Sequence, residues 1–431
     1  MKNIFACISF SLLLLSCDGR GDTDTEFATN PQDYTSFFKG NPIKSYTEAL
    51  QEKEFWSKRL GKDSTGVGDL GPLAGAYSTL FETSGDIQYL KDAEKVYKKA
   101  ITVSSVKIQD GYKRALAKNY ISQHRFKDAI ILLEESYAGI SNKHATQLLL
   151  FDCYLEVGAY LKAEQLLKSL ENINQFDYLI RISKWSDLKG DVSAAIGYME
   201  KALGIAESRN NTSLKIWANA NIATYYGHQG EISKSYDHYL KTLFLQADHH
   251  FAKKGIAWIL YSKEHNALKA SVIIDHLLKN HKVPEYYLLK AEMASYQGDS
   301  VQNKKYMQQF FTLADNPLYG AMYNTHKIMA LIEIDPQKAL QLAIKEVDNR
   351  ATPQSYHLLA LAELATNQNI KALRTIENYV EGKTSEPMAL LHIALVYKAN
   401  GFLEKVDPLK KALLPASFEL GPVVYKKVLA L

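Results

Sequence analysis

The sequence contains few cysteines, no large excess of positive or negative charge and few long apolar runs. Two of its three cysteines fall within the first 17 residues, so the body of the chain holds only Cys153 and forms no intramolecular disulfide. The 51 lysines and arginines are balanced by 47 aspartates and glutamates, and the net charge of +4 excludes the basic field that nucleic-acid binding needs. Beyond residue 16, no stretch reaches the roughly 20 apolar residues that span a bilayer.

Catalytic motifs are also lacking. Gly382-Lys383-Thr384 ends like a phosphate-binding loop, but Glu377 occupies the position where that loop requires a glycine. The chain has neither a G-x-S-x-G elbow nor an H-E-x-x-H zinc pair. We therefore predict no enzyme activity, no catalytic residue and no cofactor. Cys153, beside Tyr154 in a predicted helix, is expected to be a small buried side chain rather than a reactive thiol.

What the chain does contain is a repeat. Mostly small residues recur every 32 to 40 positions, and a period near 34 is typical of stacked helical hairpins. Alanine at the recurring position lets two helices approach closely, so a large side chain there should overpack the crossing. The recurring residues are Ala93, Ala129, Ala163, Ala195, Ser235, Ala270, Asn303, Ala339, Ala372 and Val406.

The third copy shows the pattern of one unit. Apolar residues follow helical spacing through 145–157, Gly158 can end that helix in the left-handed conformation, and Ala163 begins a second apolar stripe. Proline placement supports later boundaries, since Pro284, Pro353 and Pro387 stand where first helices should begin, and Asp335-Pro336 reads as a cap and first residue of a second helix. The motif is Leu150-Phe151-x-x-Tyr154-x3-Gly158-x-Tyr160-x-x-Ala163-x3-Leu167.

This motif resembles the tetratricopeptide repeat (TPR), a family of two-helix units. The resemblance implies an all-α fold, a right-handed α-solenoid of about ten TPR-like helical hairpins that makes about one superhelical turn. It also implies a scaffold whose concave groove binds a peptide or another protein. Such repeats define a scaffold rather than an activity.

The N-terminus predicts where the scaffold lies. Lys2, an apolar run over 4–15 and then Leu14-Leu15-Ser16-Cys17 resemble a bacterial lipoprotein signal, in which the peptide is removed before the cysteine and the thiol is lipidated. An ordinary secretory signal is the alternative. The polar, acidic stretch 18–26 predicts a flexible tether. Asp18 resembles an inner-membrane retention signal, whereas the acidic residues after it resemble a surface-export signal, and we favour the outer membrane or cell surface.

Five segments are therefore predicted along the chain. They are a signal peptide (1–16), a lipidated cysteine and flexible tether (17–42), an N-terminal capping helix and loop (43–70), the TPR solenoid (71–417) and a C-terminal capping helix (418–431).

The register of the repeats assigns residues to the concave groove. Among them Arg114, Lys118 and Asn221 faintly resemble the clamp with which some TPR domains hold a terminal carboxylate, although the close spacing of that clamp is absent. An ordinary hydrated helix face is the alternative. Trp217 is either an interface anchor or plain packing. The predicted groove residues are Arg114, Lys118, Asp152, Asp177, Lys184, Trp217 and Asn221.

Histidine is concentrated in one part of the chain, with seven of the twelve between His228 and His281. Neighbouring helices could bring two or three of them around a metal, but the spacing matches no ligand motif. His249 and His250 fall in a predicted inter-repeat turn. We therefore expect solvated surface and no metal site.

Two functions are compatible with these features of the sequence. The first is a lipid-anchored TPR scaffold that binds other proteins of the cell envelope without chemistry of its own. The second is a surface lipoprotein that binds glycans or nutrients, since one such family also joins a lipobox to TPR helices. That family interrupts its repeats with long loops that carry exposed aromatics, and the spacing near 34 leaves little room for them.

Overall fold

A computed structural model describes residues 28–38, 44–60 and 66–431, and every regular element within these ranges is helical. The predicted signal peptide and Cys17 lie outside them. The predicted all-α solenoid of about ten hairpins is confirmed. Two helices, α1 (Pro31–Tyr34) and α2 (Lys44–Leu60), precede the hairpins.

The hairpins follow one another without interruption, and each consists of two antiparallel helices. They are α3 (Val67–Ser84) and α4 (Ile87–Val103), α5 (Val106–Ser122) and α6 (Phe126–Ala138), α7 (Lys143–Glu156) and α8 (Tyr160–Ser169), α9 (Phe176–Leu188) and α10 (Val192–Ser208), α11 (Thr212–His228) and α12 (Ile232–Leu245), α13 (His250–Trp258) and α14 (Ala267–Asn280), α15 (Glu285–Tyr296) and α16 (Ser300–Ala314), α17 (Asn324–Leu331) and α18 (Pro336–Asn349), α19 (Pro353–Ala365) and α20 (Asn369–Tyr379), and α21 (Pro387–Ala399) and α22 (Leu403–Leu413). A last helix, α23 (Ser417–Leu429), follows them, and α13 continues into a π-helical turn at Ile259–Lys263.

Helix ends follow the local chemistry of the sequence. Pro353 and Pro387 are the first residues of α19 and α21, as predicted, and Pro336 begins α18 while the Asp335 carboxylate accepts from the backbone N–H of Lys338. Pro284 lies one residue earlier than a first helical residue, at the cap of α15. The sequence therefore places most of these boundaries within a residue.

The recurring small residues lie where the two helices of a hairpin cross. Ala129, Ala163, Ala195 and Ala372 have no exposed surface at all. Asn303 departs from the pattern, and its side-chain amide donates to the carbonyl of Ala291 across the hairpin at 2.8 Å. Cys153 is buried as predicted, and this burial raises the pKa of its thiol.

The solenoid winds more tightly than predicted. The Lys282 N–H donates to the Ser84 carbonyl at 3.0 Å, and Arg350 Nη2 lies 2.6 Å from Glu156 Oε2, so residues about 195 positions apart touch. One superhelical turn therefore takes between five and six hairpins, and the ten hairpins make nearly two windings instead of the expected single turn. Direct contacts between the windings favour this closer pitch.

These contacts form what we call the seam. The first winding comprises hairpins 1–5 and the second comprises hairpins 6–10. At the seam, the turns within hairpins of the first winding contact the loops between hairpins of the second. Gly158 (φ +76°) packs against the carbonyl of Ala351, and Gly190 packs against Ser385. The seam joins hairpins 1–5 to hairpins 6–10.

The described part of the N-terminal segment is folded, which corrects the flexible tether predicted for 17–42. Tyr34 is buried in the core of hairpins 5 and 6, and the backbone N–H of Thr29 donates to Glu264 Oε1 at 2.7 Å. Apolar side chains at 34, 37 and 38 supply the burial that a free tether lacks. Helix α2 packs against α3.

Helix α23 lies against first helices from four different hairpins. It contacts α11, α15, α21 and the π-helical turn after α13. Trp258 Nε1 and Ser262 Oγ both donate to the Phe418 carbonyl, at 3.1 and 2.6 Å. First helices line the inside of the solenoid, so α23 covers part of the concave surface at hairpins 5, 6, 7 and 10. Within the described ranges no helix has the length and apolar character to cross a bilayer.

Candidate binding face

The concave face of the first winding is formed by α3, α5, α7, α9 and α11, and the predicted groove residues lie on the last four of these helices. Two of them are held by hydrogen bonds of their own. Arg114 Nη1 donates to the Ser141 carbonyl at 2.9 Å, and the side-chain amide of Asn221 donates to the Trp217 carbonyl at 2.8 Å. Lys118 is thus the only exposed member of the three residues that resembled a carboxylate clamp.

Two other predicted residues belong to one ionic network. Asp152 Oδ2 accepts from Arg181 Nη2 at 2.6 Å, and Lys184 Nζ lies 3.0 Å from Glu156 Oε1. Each pair joins α7 to α9, so the network holds two successive hairpins at a fixed spacing. Arg181 is itself fixed, because its Nε donates to the Leu148 carbonyl at 3.0 Å.

The network continues across the seam through Arg350. Burial raises the pKa of Glu156, but the Lys184 ammonium and the Arg350 guanidinium outweigh it, so the pKa of this carboxyl is lowered overall. Nearby, burial and then the charge of Arg350 lower the pKa of His124 to about 4. Glu156 is therefore a charged anchor between the windings, and His124 is neutral at physiological pH.

Three predicted residues remain available to a partner. Lys118, Asp177 and Trp217 are exposed, and the side chains of the first two have no hydrogen bond or ion pair to another described residue. The Trp217 ring packs edge-on against Phe176 with centroids 5.9 Å apart. This arrangement holds the indole in place while 41% of the residue stays exposed.

Four of the seven clustered histidines line one recess. His249, His250, His276 and His281 line a recess of about 820 Å³ between α3 and hairpins 5 and 6. The rings of His250 and His281 stack with centroids 3.9 Å apart. His281 is buried, so the prediction of solvated surface is wrong for it, because the second winding brings it under the turn that ends α3.

The recess favours neutral histidines. Burial lowers the pKa of His249, His276 and His281 to about 4. Burial also lowers the pKa of Lys253 to about 8, and its ammonium donates to the Phe37 carbonyl at 2.8 Å. Across the described ranges, no three residues among His, Cys, Asp and Glu form a group suited to a metal ion.

A second cavity, of about 440 Å³, lies where the seam meets α23. His228 Nδ1 is 3.5 Å from Asp187 Oδ1, and Glu386 and Glu419 line the same cavity. Burial raises the pKa of both glutamates. Burial alone would lower the pKa of His228, but the hydrogen bond to Asp187 and the nearby carboxylates raise it overall.

Comparison with known proteins finds likeness in fold only. No protein-family model and no curated protein matches the sequence. A tetratricopeptide repeat protein from Parabacteroides merdae superposes with a TM-score of 0.39 at 15% identity, over 63% of this chain and 94% of that one. Yeast Tom70 gives 0.40 at 12% identity over 90% and 95%, and the human IFIT1 dimer with PPP-AAAA gives 0.44 at 13% over 87% and 96%.

The fold is TPR-like. This description rests on the ten hairpins and on the small buried residue at most of their helix crossings. The comparisons do not extend it to an activity or a ligand.

Sequence reasoning missed three charged residues of the network, namely Glu156, Arg181 and Arg350. Glu156 lies one helical turn after Asp152, so that spacing could have found it. Arg350 is 194 positions away from Glu156 and could not have been found, because only the pitch of the superhelix brings the two together.

Proposed function

We propose that this protein is a scaffold without catalysis, which binds a partner protein or peptide on the concave face of α5, α7, α9 and α11. The observation that carries the proposal is the contrast within the predicted groove. Lys118, Asp177 and Trp217 are exposed, while the residues around them are locked into a rigid framework by Asp152–Arg181 and Glu156–Lys184. A preorganised face of this kind loses little entropy on binding.

The chemistry of the face indicates a partner segment with both an apolar and a charged group. Trp217 offers a large, rigid apolar surface, which is the side chain most often found at the centre of binding energy in interfaces. Lys118 and Asp177 carry opposite charges. They would select a segment of mixed charge rather than a strongly acidic or basic one.

We further propose that the scaffold is anchored to a membrane of the bacterial cell envelope by a lipid on Cys17. The support is the Leu14-Leu15-Ser16-Cys17 motif. The acidic residues that follow Cys17 favour the outer membrane or cell surface. Mass spectrometry of the protein purified from membranes tests this, and an unmodified Cys17 or retention of residues 1–16 would contradict it.

The binding face is tested by photo-crosslinking in intact cells. A photoreactive amino acid replaces Asp177 on the face or, as the control, exposed Leu161 away from it. We expect one dominant crosslinked partner from position 177 and none from 161. The Trp217→Ala variant should abolish that band, whereas Lys234→Ala, on second helix α12, should leave it unchanged.

Two outcomes would contradict the scaffold proposal. The same crosslinked bands from positions 177 and 161 would mean that other proteins adhere to the chain non-specifically. Absence of any band under several growth conditions would mean that no protein binds here. In that second case, calorimetry against a panel of soluble glycans tests the alternative of a glycan- or nutrient-binding lipoprotein, for which the scaffold proposal expects no heat.

A further inference from the structure

The second winding carries an exposed apolar side chain at the turn within each of its five hairpins. These residues are 33 to 36 positions apart, and each is 60–73% exposed. We call them the apolar rim. Its members are Leu268, Val301, Ile334, Ile370 and Leu403.

Two turns of the first winding have a different environment, although Leu161 at the turn of hairpin 3 is 78% exposed. Ile87 and Phe126, the first residues of α4 and α6, are only 3–4% exposed. Ile87 shares a core cluster with Tyr319, and the Arg350 guanidinium lies 5.3 Å from the Phe126 ring, so second-winding loops cover both. No third winding covers the rim, which is therefore an end face of the described solenoid.

The N-terminal segment reaches this same end. The backbone N–H of Thr29 donates to Glu264, which lies in the turn just before α14 and four residues before Leu268. Cleavage before Cys17 would leave residues 17–27 between the lipid and the described chain. Eleven residues reach at most about 40 Å when fully extended. A lipid on Cys17 therefore keeps the end of the solenoid that carries the rim within about 40 Å of the membrane.

Charge at the rim is of both signs, since Glu333 and Glu404, beside Ile334 and Leu403, are exposed. Asp299 and Asp335 are used as helix caps, since they accept from the backbone N–H groups of Gln302 and Lys338. Lys269 is exposed and has no acidic partner among the described residues. Long basic side chains beside apolar ones suit the boundary between headgroups and acyl chains.

We propose that the apolar rim rests on the lipid surface that holds the N-terminal anchor, so that the solenoid stands on its second winding. This inference depends on the lipid anchor proposed above. Neutral bilayers should suffice, because the contact is mainly apolar. The first winding and its binding face then point away from the membrane, where a partner can reach them.

The test uses the lipidated full-length chain in phosphatidylcholine vesicles. Cysteines for a fluorescent label replace Leu268 or Ile370 at the rim and, as matched controls, Val106 or Ile140 at the opposite end, which are 73% and 70% exposed. Buried Cys153 does not compete for the label. We expect a blue shift and quenching by nitroxide lipids at 268 and 370, with neither change at 106 and 140.

The outcomes separate the two proposals. If the protein fails to float with the vesicles, the anchor is absent and this inference falls with it. If it floats but 268 and 370 are not quenched, the anchor stands and the rim inference is overturned. Equal quenching at all four positions would also overturn it, as would a blue shift without vesicles that grows with protein concentration, since a second copy would then cover the rim.

A second variant guards against an effect of the label. Leu268→Ser, Val301→Ser and Ile370→Ser together should leave the fold intact, because all three side chains are exposed. The variant should still float through its lipid. A label at Leu403→Cys should nevertheless lose its quenching, and retained quenching would contradict a contact made by the rim as a whole.

Discussion

At the scale of single residues, the fold depends on small side chains in two separate places. Alanines occupy the crossings within hairpins, and glycines occupy the seam between windings. A Cβ atom on Gly158 would lie 2.3 Å from the Ala351 carbonyl oxygen, whereas a Cβ on Gly230, which has nearly the same backbone conformation, meets nothing within 4 Å. Alanine substitutions at these two positions therefore separate the free-energy cost of the backbone conformation from that of the steric contact.

Gly158→Ala is therefore expected to destabilise more than Gly230→Ala. Both variants force alanine into the left-handed region, at about 1–2 kcal/mol. Gly158→Ala alone must also push the windings apart, at about 1–3 kcal/mol more. Urea denaturation measures both, and equal losses would show that the seam is not in contact at this point.

Ala163→Trp tests the crossing within a hairpin. Ala163 has no exposed surface, so the indole must separate α7 from α8 and should lower the free energy of unfolding by about 1–3 kcal/mol or more. Leu161→Trp is the control, because residue 161 is exposed in the same helix and the change should stay within about 0.5 kcal/mol. Thermal unfolding that ranks the two variants in the opposite order would refute this assignment.

Residue-scale prediction from sequence succeeded where the interaction is local. The crossing alanines follow from a period of about 34, because each contacts only its own hairpin and the next. The exposed Trp217 and Lys118 follow from the same register. The sequence could not show that Arg114 and Asn221 are engaged within the protein. Their hydrogen bonds depend on loop and backbone atoms that a repeat pattern does not specify.

At the scale of elements, α23 contributes to a cluster of titratable side chains. Glu419 on α23 meets Glu386, His228 and Asp187 around the smaller cavity. The pKa values of Glu386, Glu419 and His228 are all raised in the folded protein. A raised pKa means that the folded state binds protons more tightly, so its contribution to stability is present at low pH and is lost as the pH rises through the folded value.

Glu419→Gln should therefore stabilise the protein more at pH 8 than at pH 5. More of the wild-type carboxylate is ionised in this partly buried site as the pH rises, so its replacement should raise the free energy of unfolding at pH 8 by about 1 kcal/mol. At pH 5 the difference should shrink. Glu207→Gln, at an exposed position on α10, should show no such trend, and a Glu419→Gln effect independent of pH would contradict the account.

Element boundaries were largely predictable, and element partners were not. Capping aspartates and prolines at the starts of helices are local signals. The docking of α23 across the concave face is not local, because Phe418 binds Trp258 and Ser262 about 160 positions away. Sequence reasoning made this helix a terminal cap, and the structure shows that it also covers the first helices of several hairpins.

At the scale of the whole molecule, the seam changes how a repeat protein holds together. Stability in an open solenoid is a sum of terms between neighbours, and unfolding can begin at either end. Here hairpins 1, 3 and 4 also contact loops of the second winding. The two windings should therefore unfold together.

Arg350→Ala is expected to weaken this coupling. Its guanidinium pairs with the partly buried Glu156, and its loss should cost about 1–3 kcal/mol. Lys127→Ala is the control, because Lys127 and Asp348 also meet across the seam, at 3.6 Å, but both are exposed, so the loss should be within about 0.5 kcal/mol. Hydrogen exchange should show faster opening of 153–158 in Arg350→Ala alone, and slow exchange there would argue against coupled windings.

The position of α23 in the chain also has a consequence for biosynthesis. Helix α23 follows the hairpins that it contacts, so hairpins 5 to 7 are synthesised before the residues that cover their concave face. Until they arrive, Trp258 and the π-helical turn beside it lack their cover. A chain cut short before Ser417 would thus display an apolar surface to quality-control proteases.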